Sequence, residues 1–121
     1  MSARLLVVHD DPSFRDEVAA RIAQARFDVH AFGDPLSALV AIDTCTPDLL
    51  LTRADFGPGR LNGVALARMA RLRSRRVKIL FALAPEYIEH AQDLGQCVVY
   101  PCDAAVIANL AIHLVTEEDS R

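Results

Sequence analysis

Short apolar runs alternate with helically spaced apolar residues along most of the chain. The first run, Leu5-Leu6-Val7-Val8, lies within residues 4–9 and reads as a buried strand. Asp11-Pro12 then supplies a helix N-cap and a first-turn proline, and Phe14, Val18, Ile22 and Ala25 recur at helical spacing. A second strand is predicted at 28–31. Asp34-Pro35 opens a second helix, expected to turn Leu36, Leu39 and Val40 inward. Pro47 precedes a third strand over 48–52, and Arg53 stands at its end. A Gly/Pro-rich loop runs from about 54 to 61, and Asn62-Gly63 leads into a third helix with Val64, Ala67 and Ala70 inward. Strands at 77–82 and 97–100 flank a helix expected over 85–94 and stopped by Gly95. Asp103 caps a last helix with Val106, Ile107, Leu110, Ala111 and Leu114 inward, and 116–121 reads as a polar, fraying tail.

Five strands alternating with five helices imply an α/β fold with a doubly wound parallel sheet, because right-handed crossovers place helices on both sheet faces. The 121 residues suffice for a single domain, with a core expected over about 3–115. Hydrophobic residues make up 52% and charged residues 24%, as in an ordinary globular protein. A net charge of −3 is too mild to suggest a nucleic-acid binder by itself. No apolar run reaches the roughly 20 residues that would span a bilayer. Met1-Ser2-Ala3-Arg4 leads directly into a strand with no signal-peptide pattern, so a cytoplasmic setting is expected. Cys45, Cys97 and Cys102 lack zinc-type spacing and are expected to be reduced structural thiols.

In such a sheet the carboxyl ends of neighbouring parallel strands form the edge that carries sites. His9-Asp10-Asp11 and Arg53 are both expected there, so a guanidinium would stand beside an aspartate. The order of elements, with Val7-Val8-His9-Asp10-Asp11-Pro12 and Arg15, Pro47-Asp48-Leu49-Leu50-Leu51-Thr52, a Gly-Pro-Gly loop ending in Asn62-Gly63, and Val98-Val99-Tyr100-Pro101, resembles the receiver domain of two-component response regulators. The resemblance covers roughly residues 3–115. It implies a flavodoxin-like receiver fold, a five-stranded parallel sheet in the order 2-1-3-4-5.

It also implies a site. Receivers accept a phosphoryl group on an aspartate ending the third strand, with magnesium held by that aspartate and an acidic pair after the first strand. A hydroxyl after the fourth strand and a lysine after the fifth bind the phosphoryl oxygens. By resemblance, the acidic pair falls on His9 and Asp10, the acceptor on Arg53, the hydroxyl on Ala82, the lysine on Tyr100 and the aromatic switch position on Cys97. Only Asp10 keeps its family type. A guanidinium is no phosphoryl acceptor and stays charged. It also repels a cation, by about 4 kcal/mol per pair of unit charges ~4 Å apart at an effective dielectric of about 20. No metal or cofactor is therefore expected, magnesium included. Asp11 reads as a helix cap.

Two roles for Arg53 stay open here: an ion pair with Asp10 that replaces the metal as counter-charge, or a side chain directed into solvent. Asp55, two residues further on in a loop two residues longer than the common receiver pattern, is a candidate displaced acceptor, since a slip of two preserves strand facing. The resulting expectation is an atypical receiver, not an enzyme, that works through protein–protein contacts without standard aspartyl phosphorylation. Its partner would be a histidine kinase, an output domain or another regulator, or a second copy bound through the face of the fourth helix, fifth strand and fifth helix. Tyr87, Ile88, Ala91, Ile107 and Leu110 are the interface candidates. The alternatives are a receiver phosphorylated on Asp55 and a small doubly wound domain binding a nucleotide or flavin. The basic segment Arg68, Arg71, Arg73, Arg75, Arg76, Lys78 reads as a solvated helix end or a docking patch for an acidic partner. Nucleic acid is the least favoured reading, because no stacking aromatics are interleaved. His30, His90 and His113 are scattered and read as surface residues.

Overall fold

The computed structural model describes residues 3–119, with side chains through Thr116. Five strands, β1 (Arg4–Val8), β2 (Asp28–Phe32), β3 (Leu49–Thr52), β4 (Lys78–Leu83) and β5 (Gln96–Val99), form one sheet in the order β2-β1-β3-β4-β5. Every neighbouring pair is parallel. The helices are α1 (Pro12–Gln24), α2 (Pro35–Thr44), α3 (Gly63–Arg73), α4 (Ile88–Ala91) and α5 (Ala104–Asp119). The expected doubly wound fold and strand order are what the chain adopts.

The central strands read as continuous apolar runs because both of their faces are covered. Leu5, Val7, Leu49, Leu51, Leu80 and Ala82 point into one core with Phe14, Val18 and Ile22 of α1 and Ile107, Ala108 and Ala111 of α5. Their alternate neighbours Leu6, Val8, Leu50, Ile79, Phe81 and Leu83 point into a second core with Ala38 and Ile42 of α2 and Leu66, Ala67 and Ala70 of α3. The caps read from the sequence are in place. Asp11, Asp34 and Asn62 accept from the backbone N–H of Phe14, Ser37 and Ala65 at 3.4, 3.1 and 2.8 Å, and Asp103 accepts from that of Ala105 at 2.8 Å.

Several facing assignments are corrected. On α2, Ala38 and Ile42 point inward, while Leu36 and Val40 are 60% and 66% exposed. This helix is apolar almost all round, so its spacing alone cannot choose a face. Ala25 falls beyond the end of α1 and is exposed. Val106 faces outward, because α5 presents Ala104, Ile107, Ala108, Ala111 and Val115 to the sheet. The helix expected over 85–94 is a 3₁₀ turn, Pro85–Tyr87, followed by the single-turn α4. The chain has to leave helical geometry early, since Gly95 passes so close to β4 that a Cβ there would lie 2.1 Å from the Ile79 carbonyl oxygen. The segment taken as a tail continues α5 to Asp119, and residues 120–121 lie outside the described residues.

Candidate functional site: the carboxyl edge of the sheet

Backbone hydrogen bonds seat the key positions. Arg53 N–H donates to the Val8 carbonyl at 3.2 Å, prolonging the β1–β3 ladder, and His9 N–H donates to Phe32 at 3.0 Å. Tyr100 N–H donates to the Leu83 carbonyl at 2.8 Å, and the Tyr100–Pro101 peptide is cis. The three strand ends thus bring His9, Asp10, Asp11, Arg53 and Tyr100 together. Gly63 makes the seat for Arg53 possible. Its N–H donates to the Ala54 carbonyl at 2.8 Å, and a Cβ at this position would fall 1.5 Å from the Arg53 carbonyl oxygen. No L side chain fits so close to a backbone oxygen.

Of the two roles open to Arg53, the structure shows the ion pair. Nη1 donates to Asp10 Oδ1 at 2.7 Å, with the two side chains 29% and 33% exposed. The guanidinium carbon also lies 5.4 Å from the centroid of the Tyr100 ring, within cation–π range. The Tyr100 hydroxyl donates to Asp11 Oδ2. Asp11 therefore does more than cap α1: one oxygen serves the helix and the other the fifth strand. The tyrosine hydroxyl, the Phe14 N–H and the nearby imidazole together hold its carboxyl below the usual carboxylate range. Burial, then the hydrogen bond to Asp11, pushes the Tyr100 phenol up to about 12.

His9 is completely buried. Its ring lies 4.8 Å from that of Phe14 and 4.5 Å from that of Tyr100, and those two rings meet edge to face at 5.1 Å. Nδ1 accepts the Asp11 N–H at 3.2 Å, which assigns the proton to Nε2, an atom without a hydrogen-bond partner. Burial first, and then the Arg53 charge, lower the His9 pKa to about 4. The imidazole is therefore neutral near pH 7, an aromatic wedge rather than a charged group.

The donor set does not suit magnesium. That ion wants several hard oxygen ligands in near-octahedral array. Here Asp10 is engaged by a guanidinium, Asp11 by a phenol and a helix end, and the third group is a buried imidazole whose free nitrogen carries a proton. Ala82 is fully buried within β4 and adds no polar atom. Cys97 packs partly buried beside the second core, and burial pushes its thiol up, as it does for Cys102. All three cysteines are free.

Asp55 stands apart from this network. Its Oδ2 accepts the Tyr87 hydroxyl at 2.8 Å and its Oδ1 the Gly57 N–H at 3.0 Å. Both contacts hold its carboxyl low, and the same pair raises the Tyr87 phenol. The aspartate latches the loop after β3 to the turn before α4. Among the interface candidates, Ala91 and Ile107 are corrected: both are fully buried against the sheet and cannot meet a partner. Tyr87, Ile88 and Leu110 are only partly buried. No local signal marks the Asp11–Tyr100 and Asp55–Tyr87 pairs, which join residues 89 and 32 positions apart.

No protein-family profile matches the chain. Residues of this chain are 37% identical over 71 positions to the DNA-binding response regulator MtrA of Mycolicibacterium smegmatis. That match takes in 59% of this chain and 30% of MtrA, so the chain spans less than a third of this relative. Among solved structures, a CheY-like response regulator receiver domain protein of Methanospirillum hungatei superposes with a TM-score of 0.85 at 15% identity, over 99% of this chain and 98% of that one. The beryllofluoride-activated DrrB receiver domain gives 0.80 at 16% identity, over 97% and 99%. NtrX of Brucella abortus gives 0.77 at 24%, over 99% of this chain and 29% of NtrX. Among the described residues no helix is long and apolar enough to cross a membrane. With its sheet order, its strand-end site and these likenesses, the chain has the receiver-domain fold of two-component response regulators.

Proposed function

We propose that this chain is an atypical receiver that works by binding signalling proteins and is not phosphorylated at the end of β3. One observation carries the reading: a permanent cation, Arg53, takes the acceptor position and is already paired with Asp10 at 2.7 Å. The charge that a metal would supply in a phosphorylated receiver is built into the chain. The loss of a hydroxyl at Ala82 and of a lysine at Tyr100 supports the same reading, since neither residue can hold a phosphoryl oxygen as the family does. Asp55 is a poor substitute acceptor, because both of its oxygens are occupied. The partners implied are a kinase, an output domain or another regulator in the cytoplasm, and the proposal carries no catalytic role of the chain's own.

Incubation with acetyl phosphate and magnesium, followed by intact-mass measurement, tests this directly. The expected result is no phosphate adduct on the wild-type chain, beside a conventional receiver that takes one up. A stoichiometric adduct mapped to Asp10, Asp11 or Asp55 would refute the reading.

A further inference from the structure

Charge is segregated along this acidic chain. Seven of its thirteen Lys and Arg residues lie between Arg60 and Lys78, and no Asp or Glu occurs between Asp55 and Glu86. Two of these cations are used internally: Arg73 pairs with Asp43 of α2, and Arg71 donates to the Leu94 carbonyl at 2.8 Å. Arg68, Arg75 and Arg76 are exposed and have no carboxylate partner among the described residues. Leu72, one helical turn beyond Arg68, is 85% exposed, the most exposed large apolar residue described.

Beside this stripe lies an open groove of about 520 Å³. Val64, Ala65 and Met69 of α3 and the ring of Tyr87 provide apolar lining, Arg68 and His90 add polar heads, and Asn62 and Asp55 also line it, the Asp55 carboxylate being engaged by the Tyr87 hydroxyl and the Gly57 N–H. The Asp55–Tyr87 hydrogen bond fixes the loop after β3 against the turn before α4, so the groove is held open by structure already in place. One unpaired cation, Arg68, lines this slot, and Leu72, Arg75 and Arg76 follow it along the chain at the far end of α3 and just beyond, a sequence of features that calls for a ligand apolar at one point and anionic along its length. A nucleic-acid backbone supplies the anions but has no use for Leu72, and among the described residues the groove offers bases only the rings of Tyr87 and His90, not an interleaved run of stacking aromatics. A polypeptide supplies both.

We propose that the α3 face is a docking surface for an acidic polypeptide segment. The segment seats one apolar side chain between α3 and Tyr87 and runs its carboxylates along Arg68, Arg75 and Arg76. Anchor burial provides affinity, while the charges steer encounter and set register. This inference rests on the reading of the chain as a protein-contact module and names the surface and the chemistry of the partner.

The test is a nitrogen-15 NMR titration of the full chain with three probes: a synthetic Asp/Glu-rich peptide carrying one leucine, its Asn/Gln counterpart, and a single-stranded oligonucleotide of matched length. The acidic peptide is expected to shift amides in 64–76 and 87–90, with affinity falling as salt rises. Arg68→Glu should weaken it about tenfold or more. Leu72→Ser, which leaves the charge intact, should weaken it by a smaller factor. Both positions are exposed, so unchanged spectra elsewhere will show that the variants fold. Shifts confined to another face, binding indifferent to Arg68→Glu, no shift at millimolar peptide, or tighter binding of the oligonucleotide would each overturn the docking surface. Phosphate uptake in the mass experiment would instead remove the reading on which it rests, whatever the titration gives.

Discussion

At the carboxyl edge of β1, β3 and β5, charged and polar groups meet partners from the same chain: Arg53 with Asp10 and Tyr100, and Tyr100 with Asp11. On α3 and in the turn just beyond it the same residue type stands without a carboxylate partner among the described residues, as at Arg68, Arg75 and Arg76. An arginine closed into a network serves the fold that made it. An arginine left to water beside an apolar groove contributes little to stability and is free to bind.

The strongest way to break this contrast is to unseat Arg53 through the backbone. Gly63→Ala places a methyl group 1.5 Å from the Arg53 carbonyl oxygen, and neither atom belongs to a side chain that can move aside. A loss of about 4 kcal/mol or more is expected in urea unfolding, enough to unfold a marginal domain. A variant as stable as wild type would mean that the loop after β3 relaxes freely and that the edge is not rigidly built.

Acid should loosen the closed edge next. The His9 pKa falls from 6.5 to about 4 on folding. Above pH 6.5 the imidazole is neutral in both states and its contribution is complete. As pH drops from there towards 4, the unfolded chain takes up a proton that the native state refuses, and stability falls by about 3 kcal/mol in total. Urea midpoints measured from pH 7 to 4 on wild type and His9→Gln should diverge in steepness, with the variant flatter. Identical slopes would show that the buried imidazole is not the source of the acid sensitivity.

The smallest effects compare the two arginines themselves. Arg53→Ala removes an ion pair about a third exposed together with a cation–π contact, so a loss of about 1 kcal/mol is expected. Arg68→Ala should change stability by less than about 0.5 kcal/mol, as an exposed substitution with no partner to lose. Equal losses in thermal melts would erase the distinction drawn between the network and the stripe.

Much of this fold is legible in the sequence. Periodicity, proline-led caps and the alternation of apolar runs specify five strands, five helices and a doubly wound sheet, because those signals are local and reinforce one another. The identity of Arg53 likewise rules out an acceptor by its chemistry alone. The outward face of α2 was not legible, since Leu36 and Val40 are as apolar as Ala38 and Ile42 that the sheet covers. The short fourth helix was hidden too, because it is cut off by the approach of Gly95 to β4.

Local signals in the chain set which strands form and put a guanidinium, not a carboxylate, just beyond the end of β3. That Arg53 meets Asp10 across 43 positions, and Tyr100 meets Asp11 across 89, follows from how the strands are arranged in space. Those partners are chosen by sheet order and crossover, which bring distant strand ends together, whereas spacing along the chain reports only what lies a turn or a strand away.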